Sequence, residues 1–275
     1  MIRKITDKLT DIFNYGEAKS LAIMIMCNIC GKSYTEIITH EPVLTENQTI
    51  RIEQIIERLR KKEPIQYILG ETYFFGRKFK CDQRALIPRP ETEELIDHII
   101  RDNSGNKGRL KILDVGTGTG CIAITLALEL TNCEVTAIDI SDDAVNLTKE
   151  NNQLHGCNIK CIRKDIFDLE DEEYDIIVSN PPYICDSEIV DMESNVVNYE
   201  PHIALFVSDN HPLKFYDVIT AYAAKNLKPS GKLYFEINQK FGNEMIELLK
   251  NFDFDNIELI KDINNNDRII RGEKR

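Results

Sequence analysis

The sequence predicts an α/β fold, in which helices cover both faces of a mostly parallel sheet and a small helical domain precedes it. Two observations lead to this prediction. From Lys111 onward, short apolar strands alternate with amphipathic helices, the pattern of a sheet whose parallel strands are joined by helices. Before residue 64, apolar residues recur with a helical period instead. A chain of 275 residues with 42% hydrophobic residues is long and apolar enough for two domains.

The N-terminal region is predicted to be helical. Its clearest helix is Thr49 to Lys62, where apolar residues recur every three to four positions and basic residues occupy the other side. Residues 1–70 are therefore assigned to an N-terminal helical domain. Residues 71–84 are assigned to an aromatic hairpin that links it to a second domain, residues 85–275.

Seven strands are predicted in the second domain, after a helix whose first turn holds Pro90 and acidic residues. The strands are Ile112–Val115, Val135–Asp139, Ile159–Ile162, Ile176–Ser179, Lys232–Ile237, Ile257–Ile260 and Arg268–Arg271. The intervening helices are Thr119–Leu130, a helix ending near His155, Leu213–Leu227 and Asn243–Asn251. The last two strands are joined by a short link, so we expect them to pair antiparallel.

Charge is distributed unevenly along the chain. The 34 basic and 46 acidic residues give a formal net charge of −12. Residues 1–80 carry 13 basic and 10 acidic side chains, whereas residues 81–275 carry 21 and 36. This balance argues against non-specific nucleic-acid binding through bulk charge. The first candidate surface for docking a partner is the basic side of the helix from Thr49 to Lys62, which consists of Arg51, Arg58, Arg60, Lys61 and Lys62.

The first strand of the sheet runs into a glycine turn, Gly116-Thr117-Gly118-Thr119-Gly120. Such a turn lets backbone approach a ligand beyond the carboxyl ends of the strands. Asp139, at the end of the second strand, can accept hydrogen bonds from both hydroxyls of a ribose. Cys121 stands where a dinucleotide fingerprint has glycine or alanine, so the turn is more similar to the S-adenosylmethionine site of class I methyltransferases. Tight strand–helix packing alone is the alternative explanation of the glycines.

Three further positions complete the predicted cofactor site. Asp165 and Ile166 follow the third strand, where an adenine would lie. Asn180, which follows the fourth strand, is also assigned to the cofactor site.

The fourth strand ends in Asn180-Pro181-Pro182-Tyr183. The prolines hold the backbone extended and remove two N–H donors. The side-chain carbonyl of Asn180 and the backbone carbonyl of Pro181 can each accept one hydrogen of a planar –NH2 group, and Tyr183 can cover its flat face. An amide or exocyclic amine nitrogen is a poor nucleophile, and two acceptors favour the positive charge that develops on it during methylation.

These properties assign roles to the four residues. Asn180, Pro181 and Tyr183 are the predicted catalytic residues, and Pro182 joins them in binding substrate. The alternative is a rigid proline turn in the core. The five histidines form no constellation and receive no role.

Asn-Pro-Pro-Tyr is shared by amino-methyltransferases that act on adenine, cytosine, guanine and glutamine amide. Further segments make the chain similar, from about residue 64 onward, to the HemK/PrmC family of peptide chain release factor glutamine N5-methyltransferases. These segments are Pro64–Gly70, Leu86–Glu93, Tyr199–Pro201 and Pro229–Leu233. The chain departs from the family at Val207–Leu213, which replaces a usual glycine-rich turn.

The resemblance implies a class I S-adenosylmethionine-dependent methyltransferase with a Rossmann-like sheet of seven strands. It implies S-adenosyl-L-methionine as methyl donor, S-adenosyl-L-homocysteine as product and no metal. The implied substrate is the glutamine in the Gly-Gly-Gln motif of class I release factors, which the N-terminal domain would help to hold.

Two other functions remain open. A nucleic-acid amino-methyltransferase, acting on N6 of adenine or N2 of guanine, would use the same chemistry, but the acidic second domain argues against it. A degenerate fold serving as a scaffold is opposed by the intact glycine turn, Asp139 and Asn180.

No targeting or membrane-spanning segment is visible, so we expect a cytoplasmic protein and, by default, a monomer. Cys27 and Cys30 lack further ligands at zinc spacing, so we expect reduced thiols there.

Overall fold

The computed structural model describes residues 1–40, 42–106 and 108–275. These residues form two units, each with its own hydrophobic core. The first consists of Met1–Glu71 together with Glu193–Tyr199. The second consists of Thr72–Met192 and Glu200–Arg275.

The first unit is helical, as the sequence predicts. Its helices are α1 (Ile2–Leu9), α2 (Tyr15–Cys30), α3 (Tyr34–Thr39), α4 (Glu46–Arg60), α5 (Ile65–Leu69) and the later α9 (Ser194–Tyr199). Helix α4 begins three residues before the predicted Thr49, because Thr45 and Gln48 form a capping box there. The hydroxyl of Tyr199 donates a 2.9 Å hydrogen bond to the backbone oxygen of Lys61, which ties α9 to the end of α4.

The basic side of α4 is partly neutralised. Arg58 donates two hydrogen bonds, of 2.7 and 2.5 Å, to the carboxylate of Glu63. Arg60 pairs with Glu57 at 3.0 Å and with Asp11 at 3.7 Å. The exposed cations of this side that form no salt bridge with other described residues are Arg51, Lys61 and Lys62.

The second unit contains the predicted seven-stranded sheet. Its strands are β3 (Leu110–Val115), β4 (Cys133–Asp139), β5 (Lys160–Arg163), β6 (Tyr174–Ser179), β9 (Leu227–Glu236), β10 (Phe254–Lys261) and β11 (Asp267–Lys274). They lie in the order β10-β11-β9-β6-β3-β4-β5. All neighbours pair parallel except β11, which is antiparallel to both β9 and β10, as expected for the short final link. The helices are α6 (Pro90–Asn103), α7 (Cys121–Glu129), α8 (Asp142–Leu154), α10 (Lys214–Asn226) and α11 (Gly242–Asn251).

The aromatic hairpin is present and packs into the core of the second unit. It consists of β1 (Glu71–Phe74) and β2 (Arg77–Lys80). Phe74 and Phe79 are buried and stack edge to face, with ring centroids 6.0 Å apart. Phe75 has a left-handed φ of 49°, and its N–H donates a 2.7 Å hydrogen bond to Glu93 on α6. The first turn of α6 therefore braces the turn of the hairpin.

Strand β9 and one short strand pair differ from the prediction. Strand β9 begins at Leu227 rather than at Lys232, and it contains a register shift where Ser230 adopts a left-handed φ of 63°. Strands β7 (Ile184–Cys185) and β8 (Phe206–Val207) pair parallel and are too short for a periodic pattern to indicate them.

Within the described residues, no helix combines the length and apolar composition needed to cross a membrane.

The loop at Val207–Leu213, where the chain departs from the family pattern, is ordered by polar contacts. The carboxylate of Asp209 accepts hydrogen bonds from the hydroxyl and the N–H of Ser187, at 2.6 and 3.2 Å. The backbone oxygen of Ser208 accepts from the N–H of His211 at 3.0 Å. The loop therefore closes as a turn without the usual glycines.

Candidate active site

Most of the predicted site residues surround one cavity of about 320 Å³ in the second unit, where β3, β4, β5 and β6 end. This volume lies in the range of small-molecule sites, and the carboxyl ends of parallel strands are where such sites form. The predicted residues that line it are Gly116, Thr117, Gly118, Thr119, Asp139, Asp165, Ile166, Asn180, Pro181 and Pro182. Gly120 and Tyr183 do not line it.

The three glycines of the turn differ in their reasons for being glycine. All three have a left-handed φ, at 75°, 57° and 81°. A Cβ on Gly116 would meet no atom within 4 Å, so conformation alone requires glycine there. A Cβ on Gly120 would lie 2.8 Å from the side chain of Thr148, so this glycine also serves the packing of α8. Strand–helix packing, the alternative explanation, therefore accounts for Gly120 but not for Gly116.

Asp139 is tied to the glycine turn by its carboxylate. Oδ2 accepts a 3.0 Å hydrogen bond from the N–H of Gly118, and Oδ1 accepts one of 3.0 Å from the N–H of Ser141. Burial raises the pKa of Asp139, against the effect of these N–H donors. Each oxygen has a second lone pair, so the fixed carboxylate suits the paired hydroxyls of a ribose.

Asp114 lies behind the turn and is fully buried. The hydroxyl of Thr117 donates a 2.7 Å hydrogen bond to its Oδ2. Burial is the main cause that raises the pKa of Asp114 to about 7, and the charge of Asp139 adds to it. The side chain therefore braces the turn from inside the protein.

The segment after β5 supplies another wall of the cavity. Asp165 caps a short turn by accepting a 3.1 Å hydrogen bond from the N–H of Phe167. The ring of Phe167 lines the cavity beside Ile166 and is half exposed. The ammonium of Lys214 lies 5.5 Å from the centre of this ring. Phe167 is not among the predicted site residues, although its place directly after Ile166 is a usable signal.

Asn180 is held by Glu236 and by Thr92, which itself lines the cavity. Its amide nitrogen, Nδ2, donates to Oε2 of Glu236 at 3.0 Å and to Oγ1 of Thr92 at 3.3 Å. No donor in the described ranges reaches its amide oxygen, Oδ1. Because Asn180 lines the cavity, this oxygen is available to a ligand with N–H groups.

Tyr183 contacts Glu236 rather than the cavity. Its hydroxyl donates a 3.1 Å hydrogen bond to Oε1 of Glu236. Its backbone oxygen accepts one of 3.1 Å from the side chain of Asn238. Burial is the largest cause that raises the pKa of the Tyr183 hydroxyl, followed by the charge of Glu236.

Glu236 and the pair Arg89–Glu200 are also absent from the predicted site residues. The carboxylate of the buried Glu200 accepts from the guanidinium of Arg89 at 2.5 Å and from the N–H of Ile87 at 3.1 Å. Arg89 lines the cavity. Its segment and that of Glu200 stood out by resemblance, and Glu236 is an acidic residue at the carboxyl end of the strand beside β6. These were the signals that could have identified them.

Metal ligands and disulfides are not part of this arrangement. Across residues 1–40, 42–106 and 108–275, His, Cys, Asp and Glu form no group of three that could hold a metal ion. All eight cysteines are thiols.

Comparisons with known proteins identify relatives across nearly the whole chain. The family model described as PrmC N-terminal domain matches residues 1–70, and that described as Methyltransferase small domain matches residues 92–199. The Release factor glutamine methyltransferase of Flavobacterium psychrophilum is 46% identical over 96% of this chain and 94% of its own. The protein of the same name from Bacteroides thetaiotaomicron is 41% identical over 98% of both chains. Among solved structures, a methyltransferase from Pyrococcus furiosus shares the fold, with a TM-score of 0.53 and 18% identity over 84% of this chain and 99% of that one.

Proposed function

This chain belongs to the release factor glutamine methyltransferase family, and we propose from that membership that it methylates class I peptide chain release factors. The methyl group passes from S-adenosylmethionine to the side-chain amide nitrogen, N5, of the glutamine in the Gly-Gly-Gln motif. The observation that carries this proposal is that Asn180 lines the cavity while its amide oxygen accepts no hydrogen bond from the described residues.

The residues around the cavity fit S-adenosylmethionine. The carboxylate of Asp139 would accept hydrogen bonds from the ribose, and the turn at Gly116–Gly118 lets backbone approach the cofactor. Ile166 and Phe167 would border the adenine, with Asp165 shaping their turn. The bound cofactor supplies a methyl group on a positively charged sulfur.

Asn180 and Pro181 are proposed to hold the substrate amide. Their two carbonyl oxygens would each accept one hydrogen of the glutamine –NH2, which fixes the direction of the nitrogen lone pair. The same oxygens stabilise the positive charge that develops on this nitrogen. Pro182 keeps the backbone rigid, and Tyr183 remains a proposed site residue that acts from behind the wall. An N-protonated amide is strongly acidic, so its proton leaves to solvent without a general base.

The N-terminal unit is proposed to dock the release factor. Support comes from the match of residues 1–70 to the PrmC N-terminal domain and from the exposed cations Arg51, Lys61 and Lys62. We also propose that the domains meet at residues 70 and 84. The protein is proposed to be monomeric and cytoplasmic.

The decisive experiment offers the protein labelled S-adenosylmethionine together with a purified class I release factor, or with RNA or DNA instead. We expect label in the release factor, and none in a matched factor whose Gly-Gly-Gln glutamine is replaced by alanine. Label that appears only in nucleic acid would establish the alternative, a nucleic-acid amino-methyltransferase. Equal labelling of both release factors would contradict the choice of glutamine.

A further inference from the structure

We propose that Glu236 is a positioning residue for Asn180, which fixes the amide so that its oxygen, and not its nitrogen, faces the substrate. This inference rests on the proposed function, because it concerns how the same site recognises an –NH2 group. Glu236 is not among the predicted site residues, and its contacts reach segments far away in the chain.

The geometry places Glu236 directly behind the site. It ends β9, the strand beside β6, and Asn180 follows the last residue of β6. The side chain of Glu236 is 1% exposed. Its Oε2 accepts from Oγ1 of Thr92 at 2.6 Å and from Nδ2 of Asn180 at 3.0 Å, while Oε1 accepts from the hydroxyl of Tyr183 at 3.1 Å.

The chemistry of these contacts sets the orientation of the amide. The oxygen and nitrogen of an asparagine side chain exchange places when it rotates by half a turn, and only its neighbours decide which arrangement is stable. An ionised carboxylate accepts hydrogen bonds and donates none. The hydroxyl of Thr92 donates its proton in the hydrogen bond to Glu236. Toward Asn180 its oxygen can therefore act only as an acceptor. Glu236 and Thr92 are therefore both acceptors, and each can bond only to the –NH2 group of Asn180. This orientation turns Oδ1 away from these two residues.

The carboxylate also acts through charge. A negative charge 3.0 Å from Nδ2 polarises the amide of Asn180 and makes Oδ1 a stronger acceptor, an effect that is large in a buried site. During transfer, the nitrogen lone pair of the substrate forms the N–CH3 bond, while the S–CH3 bond breaks and its electron pair stays on sulfur. Positive charge thus moves from sulfur to nitrogen until one N–H proton leaves to solvent. A polarised Oδ1 favours this movement.

Substitution of Glu236 by glutamine tests the idea at nearly constant shape. The new side-chain amide could donate to Asn180 and let the amide of Asn180 rotate, so we expect kcat to fall about 10- to 100-fold, which is less than the loss of a direct contact. The Kd of S-adenosylmethionine, measured by calorimetry, is expected to stay within about twofold of the wild-type value, and so is the KM for the release factor. The matched control is Tyr216→Phe, because the hydroxyl of Tyr216 donates at 3.0 Å to the backbone oxygen of Glu236 and not to its carboxylate.

A double-mutant cycle with Asn180→Ala separates positioning from a general structural effect. If Glu236 acts through Asn180, adding Glu236→Gln to Asn180→Ala produces no further loss of kcat. A further loss of the same size as in the single variant would overturn the proposal, as would a wild-type kcat for folded Glu236→Gln. If Glu236→Gln does not fold, as judged by its Tm, Thr92→Val removes one donor to the same carboxylate. An unchanged kcat for Thr92→Val would then contradict the inference.

Failure of the inference is distinguishable from failure of the proposed function. If the wild-type protein transfers no label to the release factor, the proposed substrate is wrong. If the wild-type protein does so and both the Glu236 and Thr92 variants match it, the substrate stands and the role of Glu236 does not.

Discussion

The backbone N–H of Gly118 donates a 3.0 Å hydrogen bond to the carboxylate of Asp139, which joins the turn after β3 to the end of β4. Asp139, which would bind the ribose, is therefore positioned by the glycine turn that would bind the rest of the cofactor. Changes at either residue are expected to affect the same ligand.

Replacing Asp139 by alanine is expected to weaken the binding of S-adenosylmethionine by about 10- to 100-fold, because hydrogen bonds to a charged acceptor contribute about 1.5–3 kcal/mol each. Isothermal titration calorimetry measures this directly. Asp143→Ala is the matched control, since Asp143 is an exposed carboxylate of α8 outside the cavity. Equal affinities for the two variants would contradict the ribose assignment.

Replacing Asn180 by alanine is expected to lower kcat by about 10²- to 10³-fold, the usual cost of removing a group that stabilises developing charge. Cofactor affinity is expected to change little, because the neighbouring contacts of Asp139 do not involve Asn180. Single-turnover transfer of label to the release factor measures the effect. Retained turnover would remove Asn180 from the chemistry.

The rate is expected to fall in acid because of Glu236. Burial raises the pKa of Glu236, with Glu91 on α6 adding to this rise, while Thr92, Tyr183 and Arg268 of β11 oppose it. The carboxylate therefore takes up a proton at a higher pH than an exposed glutamate does. As the pH falls through that raised pKa, Glu236 becomes protonated. It then no longer requires the –NH2 group of Asn180 as its hydrogen-bond partner, and kcat decreases.

A profile of kcat against pH checks this sign, with Glu236→Gln as the comparison. The acid limb that belongs to Glu236 should be absent from the variant. An identical acid limb in both proteins would assign it to another group, such as Asp139, whose pKa burial also raises.

Stability is expected to depend on the protonation of Asp114. Its pKa of about 7 in the folded protein lies above the ordinary value of 3.8, so between these values the folded state binds more protons than the unfolded state. The stability contributed by Asp114 is therefore present at low pH and is lost as the pH rises toward 7. Asp114→Asn cannot ionise, so its Tm relative to the wild type should increase from pH 5 to pH 8. A constant difference would contradict the expected pKa.

Partner docking is expected to depend on the cations of α4 and its end that remain exposed. Arg51→Glu combined with Lys61→Glu should raise the KM for the release factor about tenfold or more and leave the Kd of the cofactor unchanged, with an effect that shrinks at high salt. Lys149→Glu, which alters an exposed lysine of α8, is the control. If the double reversal leaves KM unchanged, this surface does not dock the partner.

Most of the fold could be predicted from local patterns. Strand β3 is predicted as a buried strand from Ile112, Leu113 and Val115, with Asp114 as the one polar residue among them, and the glycine turn and Asp139 follow from the rule that ligands lie at carboxyl ends. Strand pair β7–β8 could not be predicted because two residues carry no period. Glu236 could not be assigned a role because it depends on Thr92, 144 residues away in the chain, and on a side-chain contact that no spacing reveals.

Because Glu193–Tyr199 belongs to the helical unit, this unit cannot be isolated as one continuous segment of the chain. The chain leaves this unit near residue 71 and re-enters it more than a hundred residues later, so no single cleavage releases it whole. A fragment that ends at residue 70 lacks α9 and its hydrogen bond to Lys61. Chimeras that exchange the helical unit between relatives would therefore need three junctions, two of them around α9, if the grafted unit is to keep all of its helices.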